Sequence, residues 1–376
     1  MSWLLMASAL LWACVLLLPW RPCAVRESLA ADAGAPDEMS DVVALVPARN
    51  EAESIARTLA ALSGQGRHLK IVVVDDQSTD GTVEAINSAG LPDLVLIRGE
   101  ALPAGWTGKV WAQAQGEKEL DRPLTLLLDA DVELAPGLLT ALKRKMRDQR
   151  AGLASLMVEL PMAGFWERVL IPAFVYFFKL LYPFALANAP HSRVAAAAGG
   201  CILMETRRLQ KLGGFASLRG ALIDDCTLAR LVKNDGARIW VGLTRDARGL
   251  RRYPRLSDIW NMVARTAFTQ LRLSGALLAV CTLVMAIAFV APVAGLAAGG
   301  SAVFAAIALG AMMLSYFPTI RYYRLHPVWV LALPLAGVLF LAMTWSSAFR
   351  HWRGEGVSWR GRAYGPRGGG AGVRVR

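Results

Sequence analysis

The chain is 376 residues long and carries 41 Lys+Arg against 29 Asp+Glu, a formal charge of +12, with 55% hydrophobic and only 19% charged residues. That balance excludes a disordered chain and is wrong for an ordinary water-soluble enzyme. Apolar residues are bunched into the first twenty positions and most of 274–349, while 40–160 has ordinary globular composition, so the sequence reads as a globular domain built onto a membrane anchor.

The first apolar run is Trp3–Trp20, and a helix crossing the hydrocarbon layer needs ~20 such residues. Its length also suits a signal peptide. Met1 and Ser2 supply no basic n-region, however, and no A-x-A-like site follows cleanly, so an uncleaved anchor over residues 1–26 is expected. Residues 27–40, rich in Ala, Asp, Gly and Pro, read as a linker. From Asp41 a strand–helix alternation begins. Strands are expected at 42–47, 70–76, 94–97, 124–131 and 153–160, and helices at about 51–62, 81–87, 109–119 and 136–150. Near-continuous Val/Ile/Leu strands separated by amphipathic helices predict a parallel sheet covered on both faces, with ligands at the carboxyl ends of its strands.

Three polar clusters fall at those ends: Pro47-Ala48-Arg49-Asn50-Glu51, Asp75-Asp76-Gln77-Ser78-Thr79-Asp80-Gly81, and Asp129-Ala130-Asp131. Each has a bland reading. Asn50, Ser78 or Thr79 would serve as helix caps and Asp80-Gly81 as a turn. Asp129 and Asp131 resist this, because alternate residues of an extended segment share a face, and paired carboxylates ending a buried strand need a cation or donors nearby. A hard divalent metal holding a diphosphate would satisfy them.

Further along, Ala195–Gly200 is small and flexible. Gly199-Gly200-Cys201 allows either close backbone approach to a ligand or close strand packing. A helix over Glu205–Leu212 stops at Gly213-Gly214, and Asp224-Asp225 opens an amphipathic helix whose N-terminus alone would favour both acids.

The order P-x-x-N-E, V-D-D-x-S-x-D-G-T, D-A-D and a later acidic pair, spread over 41–272, resembles the inverting, nucleotide-sugar-dependent glycosyltransferases of family 2. That resemblance implies a GT-A fold, an α/β architecture with a Rossmann-like mixed sheet. Within the family the chain looks like the membrane-bound lipid glycosyltransferases. The hopene-associated group is nearest, on Trp106-Thr107-Gly108-Lys109-Val110-Trp111-Ala112 and the tail Trp359-Arg360-Gly361-Arg362-Ala363-Tyr364, with carotenoid and ceramide glycosyltransferases more distant. It implies that Pro47, Glu51, Asp75 and Asp76 line the nucleoside, with the choice between the two aspartates open. Asp131 would be the metal ligand (Mn²⁺ or Mg²⁺), with Asp129 between ribose and metal. Lys109 would approach the diphosphate, against a plain reading as a solvated first-turn lysine. Asp225, with Asp224 standing where the family has Glu, would be the base. Processive members carry Q/R-x-x-R-W after the acidic pair. Here 260–270 offers Arg265 with no following Trp, so Arg265 is either a diphosphate ligand or a juxtamembrane cation.

Phe165–Ala187 holds eight of the 31 aromatics and prolines at 172 and 183. It reads as an interfacial segment of the enzyme domain that guides a lipid acceptor, or as a buried helix pair. The basic run from Lys143 to Arg150 reads as a solvated helix face, with anionic lipid as the alternative. Apolar runs at Ser274–Val290, Ser301–Ile320 and Val328–Phe349 predict transmembrane helices over 273–349, followed by a basic tail over 350–376 with seven Arg and one Glu. The Arg residues at 21, 26, 251, 252, 255, 265 and 272 put the middle domain in the cytoplasm. Three spans after it cannot leave both the Arg321–Arg324 loop and the tail there too, so either one run is re-entrant or the charge rule fails once.

The Arg residues flank membrane segments instead of forming a basic domain with interleaved aromatics, so headgroups and not nucleic acid are the expected partner. Five cysteines without C-x-x-C or His spacing read as reduced structural thiols. The expectation is a multi-pass enzyme of a bacterial inner membrane, its catalytic domain cytoplasmic, moving a sugar from a nucleotide donor, UDP-linked, to a lipid acceptor such as a hopanoid. The alternatives are a polyisoprenyl-phosphate sugar transferase, with Arg193 and Arg265 meeting the acceptor phosphate, and a non-catalytic membrane scaffold.

Overall fold

The computed structural model describes residues 2–32, 34, 37–299, 301–355, 357–359 and 362–364. Arg360, Gly361 and the tail from 365 onward, part of the expected basic tail and of its subgroup motif, lie outside the described residues. The chain divides into two compact units: one of Met1–Arg26, Pro161–Ala185 and Tyr253–Arg353, the other of Glu27–Leu160, Leu186–Arg252 and Gly354–Arg376.

The second unit is built on an eight-stranded sheet. In chain order its strands are β1 (Val42–Ala48), β2 (Lys70–Asp75), β3 (Leu94–Arg98), β4 (Leu124–Leu128), β5 (Val132–Leu134), β6 (Ala151–Glu159), β7 (Cys201–Glu205) and β8 (Arg238–Gly249). Across the sheet they run β3-β2-β1-β4-β7-β6-β8-β5. The half from β3 to β4 is parallel, in registers such as Leu45↔Val72 and Leu45↔Leu127. Every residue of β1 is buried, as a strand covered on both faces requires.

The other half departs from the all-parallel sheet that the strand pattern predicts and agrees with the mixed GT-A sheet that the family resemblance implies. β7 is antiparallel to both neighbours, β4 and β6, and β5 is antiparallel to β8, so the sheet is mixed. A run such as Cys201–Glu205 carries apolarity but no direction. Direction comes from the connection, and between β6 and β7 the chain makes an excursion through the other unit.

Amphipathic helices cover the sheet: α1 (Ile55–Ser63), α2 (Thr82–Ser88), α3 (Gly108–Gly116), α4 (Leu138–Asp148), α5 (Thr206–Lys211) and α6 (Asp224–Asn234). α1 buries Ile55, Thr58, Leu59 and Leu62, the i, i+3, i+4, i+7 stripe of a core-facing helix. α3 lies so close to β1 that a Cβ on Gly116 would stand 2.4 Å from Leu45 Cδ1. The basic run on α4 is largely paired within the unit, with Lys143 on Asp41 (2.7 Å), Arg144 on Asp32 (2.6 Å) and Lys145 over Trp240.

Residues expected as a linker are pinned to the sheet. Leu243 N–H donates to Glu27 (2.8 Å), Leu29 N–H to Leu243 (2.9 Å) and Ala31 N–H to Asp246 (2.7 Å), and Asp37–Glu38 pairs in parallel with Gly66–Arg67.

The other unit is helical. Its main helices are Ser2–Leu17, Phe165–Leu181, Leu256–Ala264, Gly275–Met285 continuing through a π-turn to Ala297, Ala302–Tyr322 and Leu333–Trp352, the last led by a 3₁₀ turn over Pro327–Ala332. Three of these, Gly275–Ala297, Ala302–Tyr322 and Pro327–Trp352, are long and apolar enough to cross a membrane, whereas Ser2–Leu17 is apolar but has 16 residues. Among the described residues every exposed large hydrophobic side chain, from Trp3 to Trp352, belongs to this unit. The aromatic segment is a helix from Phe165 to Leu181 with Pro172 inside it, followed after Pro183 by a short helix over Phe184–Asn188, and as far as Ala185 it belongs to the helical unit, not to the sheet unit to which the sequence reading assigned it.

Candidate functional site

The loops after β1 and β2 stand side by side, and their polar residues are spent on joining them. Asn50 N–H donates to Ser78 Oγ (2.9 Å) and Asn50 Oδ1 accepts from Thr79 N–H (2.9 Å). Glu51 N–H donates to Thr82 Oγ1 (2.8 Å), and Asp80 accepts from Ala52 N–H (3.2 Å) and from Thr82. None of these side chains caps α1 or α2. Asn50 (φ 52°) and Gln77 (φ 57°) both take the left-handed conformation, so each strand ends in a sharp turn.

Pro47 is buried in β1, and Glu51 is 7% exposed with its carboxylate accepting from Ser54 Oγ (3.0 Å). Asp75 accepts from Ser78 N–H (3.2 Å) and faces Arg98 (3.4 Å), while Asp76 pairs with Arg49 (3.7 Å). Both aspartates are buried, at 2% and 0% exposure.

A second group lies where β4, α3, the turn before β7 and the start of α6 meet. Lys109 follows the first residue of α3, and its ammonium bonds Asp129 Oδ1 (2.5 Å) and donates to Gly199 C=O (3.1 Å). It is no solvated helix lysine, since only 18% of its side chain is exposed. Burial disfavours its charge, but Asp129, Asp224 and Asp225 outweigh burial and hold its pKa above the ordinary lysine range.

Across the same glycine, Asp225 Oδ2 accepts from Gly199 N–H (2.8 Å) and Oδ1 from Cys226 N–H (2.7 Å). Both acids do open α6, yet Asp225 reaches back to the turn before β7, beyond what a helix N-terminus asks of it. Burial first, then the charge of Asp224, pushes its pKa up to about 6. A Cβ on Gly199 would stand 3.1 Å from Asp225 Oδ2 and 3.4 Å from Lys109 Nζ, so the glycine lets both groups close on one backbone unit. Gly200 serves the other purpose, since a Cβ there would stand 2.8 Å from Val158 Cγ2, an ordinary packing constraint. A cavity opens between these residues, lined by Lys109, Gln113, Gly199, Phe215, Asp224 and Asp225.

Asp131 follows Asp129 in the turn between β4 and β5, where its carbonyl accepts from Leu250 N–H (2.7 Å) and the carbonyl of Ala130 from Thr58 Oγ1 (2.9 Å). Among the described residues no three His, Cys, Asp or Glu gather as a metal cage. The D-x-D pair therefore fits a metal only in the manner of Mg²⁺ or Mn²⁺ on a nucleotide, with one or two carboxylates and the remaining ligands from phosphate and water.

Arg265 is an exposed residue at the C-terminus of the Leu256–Ala264 helix in the helical unit, and Arg193 is exposed on the loop before β7. The cysteines are free, and Cys201 beside Asp129 is pushed up to about 12 by burial, so it stays a thiol.

Sequence reasoning missed Gln113 and Glu117. Gln113 is 3% exposed, one turn after Lys109, so i, i+4 spacing was a usable signal. Glu117 accepts from Phe215 N–H (3.1 Å) and would clash with any side chain at Gly214, a contact across 98 residues that no local pattern announces.

Residues 43–213 match Glycosyl transferase family 2. The chain is 30% identical over 114 residues to the 4,4'-diaponeurosporenoate glycosyltransferase of Staphylococcus haemolyticus, a stretch that is 30% of this chain and spans about 30% of that curated relative. Among solved structures it resembles the mannosyltransferase PcManGT from Pyrobaculum calidifontis in complex with GDP-Man and Mn²⁺, with a TM-score of 0.51 and 20% identity over 89% of this chain and 99% of that one. Mannosyl-3-phosphoglycerate synthase from Rubrobacter xylanophilus is further off, with a TM-score of 0.43 and 18% identity over 71% of this chain and 83% of that one. The fold is GT-A, and residues 43–213 are the stretch that matches the family 2 model.

Proposed function

We propose that the chain, with a family 2 glycosyltransferase domain over 43–213, is a membrane-bound inverting enzyme that transfers one sugar from a nucleoside-diphosphate donor to a lipid alcohol. The observation that carries this reading is the convergence of Asp225, Lys109 and Asp129 on one glycine, Gly199, beside a cavity. A carboxylate with a pKa near 6 is matched to accept a proton at neutral pH, where it is mostly ionised yet still basic.

In the step we assign, the acceptor oxygen forms a bond to the anomeric carbon as its proton passes to Asp225, while the bond from that carbon to the diphosphate breaks. Attack from the side opposite the leaving group inverts the carbon. Lys109 places a positive charge next to Asp129, where negative charge builds on the departing diphosphate. Asp131, with Asp129 beside it, would hold Mn²⁺ or Mg²⁺, which supplies further neutralisation of that diphosphate. Glu51, Asp75 and Asp76, buried behind the β1 and β2 turns, would meet the nucleoside with Pro47. Arg265 is proposed as a diphosphate contact on motif position alone.

Three observations support a lipid acceptor and a membrane location. The helical unit exposes large apolar side chains throughout, it holds three helices of spanning length, and the Staphylococcus relative is named for an acceptor of 4,4'-diaponeurosporenoate type. We assign the enzyme to a bacterial inner membrane with the sheet unit in the cytoplasm, a UDP-linked donor and a hopanoid-like acceptor. The test is transfer by detergent-solubilised protein from UDP- and GDP-sugars to total bacterial lipid with Mn²⁺ or Mg²⁺. Metal-dependent appearance of a labelled lipid, lost in Asp131→Ala and Asp225→Asn, supports the reading. A folded protein that neither binds nor turns over any donor leaves a scaffold as the better account.

A further inference from the structure

Four polar side chains line the cavity beside Gly199, and the protein itself satisfies two of them. Lys109 is held by Asp129 and by the carbonyl of Gly199, and Asp225 accepts from the N–H groups of Gly199 and Cys226. Gln113 and Asp224 make no side-chain hydrogen bond or ion pair with any of the described residues. Gln113 is 3% exposed, and a buried amide without a partner costs the fold free energy that a bonded one does not. Asp224 is half-buried at the first residue of α6, where its charge acts on both Lys109 and Asp225.

The helix face that carries Gln113 is fixed on both sides. Lys109 stands one turn before it on α3 and Glu117 one turn after it, where Glu117 accepts from Phe215 N–H (3.1 Å). That bond holds the 3₁₀ turn Gly214–Leu218 against the helix, and Phe215 and Leu218 line the same cavity. The remaining side chains of the lining, Leu127, Ile202 and Leu228, are apolar and offer the amide nothing to bond. A partner for Gln113 and Asp224 therefore comes from what enters the cavity.

The chemistry of the two groups narrows that guest. An amide offers donors and an acceptor, a carboxylate only acceptors, and a hydroxyl answers both, giving its proton's hydrogen bond to Asp224 while its oxygen accepts from Gln113 Nε2. A phosphate oxygen would instead meet Asp224 with like charge. The reacting hydroxyl of a lipid alcohol is committed to Asp225, whereas a sugar carries several others. We propose that Gln113 and Asp224 form a subsite for one hydroxyl of the transferred sugar, beside the base, and that Gln113 is a residue by which this chain selects its sugar. The inference rests on the glycosyltransferase reading above and adds to it the groups that recognise the sugar.

The test is binding of UDP, UDP-glucose, UDP-galactose, GDP and GDP-mannose to the full chain in detergent, for the wild type, Gln113→Met and Gln113→Leu, with transfer to total bacterial lipid measured in parallel. The quantity read is the affinity for each nucleotide sugar relative to its free nucleotide, which isolates the sugar. Removing an unbonded buried amide takes no bond from the fold, so both variants are expected to melt no lower than the wild type. For the preferred donor the ratio is expected to fall about three- to tenfold, with free-nucleotide affinity unchanged. Deoxy analogues of that donor, one for each position, complete a double-mutant cycle. With the analogue that lacks the recognised hydroxyl the loss caused by Gln113→Met disappears, which a mere change of cavity shape does not produce. Asp224→Asn is expected to single out the same position. An unchanged ratio means that water alone meets the amide, and it overturns the subsite while leaving the glycosyltransferase reading in place. An unchanged ratio with a raised lipid concentration for half-maximal transfer assigns the hydroxyl to the acceptor and overturns the proposal as well. A folded wild type that binds no nucleotide removes the glycosyltransferase reading itself, and the subsite with it.

Discussion

As the proposed base, Asp225 sits in an environment that sets two measurable consequences. With a folded pKa of about 6, the rate of transfer falls below pH 6 as the base becomes protonated, and Asp225→Asn removes both activity and that acidic limb. The stability effect has the opposite sense. Burial and Asp224 raise the pKa above its unfolded value near 4, so the folded state favours the protonated form, and ionisation costs stability as pH rises from about 4 to 6. Asp225→Asn is therefore expected to gain on the order of 1–2 kcal/mol at pH 7.5 and nothing near pH 4, read from thermal melts at the two pH values. Gly199→Ala tests the meeting point. Its methyl group would press on both Asp225 and Lys109, so transfer should fall by at least about tenfold, ~1.4 kcal/mol of barrier, while the melting temperature moves little. The acids were legible because D-x-D and the Asp pair sit at fixed places in a motif order. Gln113 was legible only through its neighbour, since its i, i+4 spacing from Lys109 puts both on one helix face.

At the scale of elements, packing between α3 and β1 is as tight as a side-chain-free surface permits. Gly116→Ala puts a methyl group into Leu45 and is expected to cost about 1–3 kcal/mol, measurable as a lower urea midpoint with an unchanged slope. Lys233 on α6 is a second such joint, donating to the carbonyls of Ala187 (2.7 Å) and Val194 (2.6 Å), with its pKa lowered by burial. Lys233→Met strands these acceptors and should destabilise by about 1–3 kcal/mol, with the loop before β7 exchanging amide protons faster. The strands from β1 to β4 were readable because each is a Val/Ile/Leu run closed by polar residues. β8 was not, since Arg238 at its start and Arg245, Asp246 and Arg248 towards its end interrupt its apolar pattern. The reversal of β7 was invisible for a different reason. It follows from where the chain has travelled since β6, which no window of sequence contains.

For the whole molecule, composition alone announced the division of labour, since all exposed large hydrophobics among the described residues lie in one unit. Carbonate washing should leave the protein in the membrane fraction, and detergent should release it. Recovery in the aqueous fraction would refute the anchor. The assembly of that unit from three separate stretches of chain, 1–26, 161–185 and 253–353, also imposes a schedule on its biosynthesis. Trp12 finds its carbonyl partner 276 residues later. At roughly 5–20 residues per second, the first helix waits on the order of 15–60 s after synthesis before its neighbours emerge. Throughout that interval it is a lone apolar segment, open to capture by insertion factors or by membrane proteases. A chain halted before residue 275 would never leave that state, so nonsense products of this protein should be cleared from the membrane even when all eight strands of their sheet have been made.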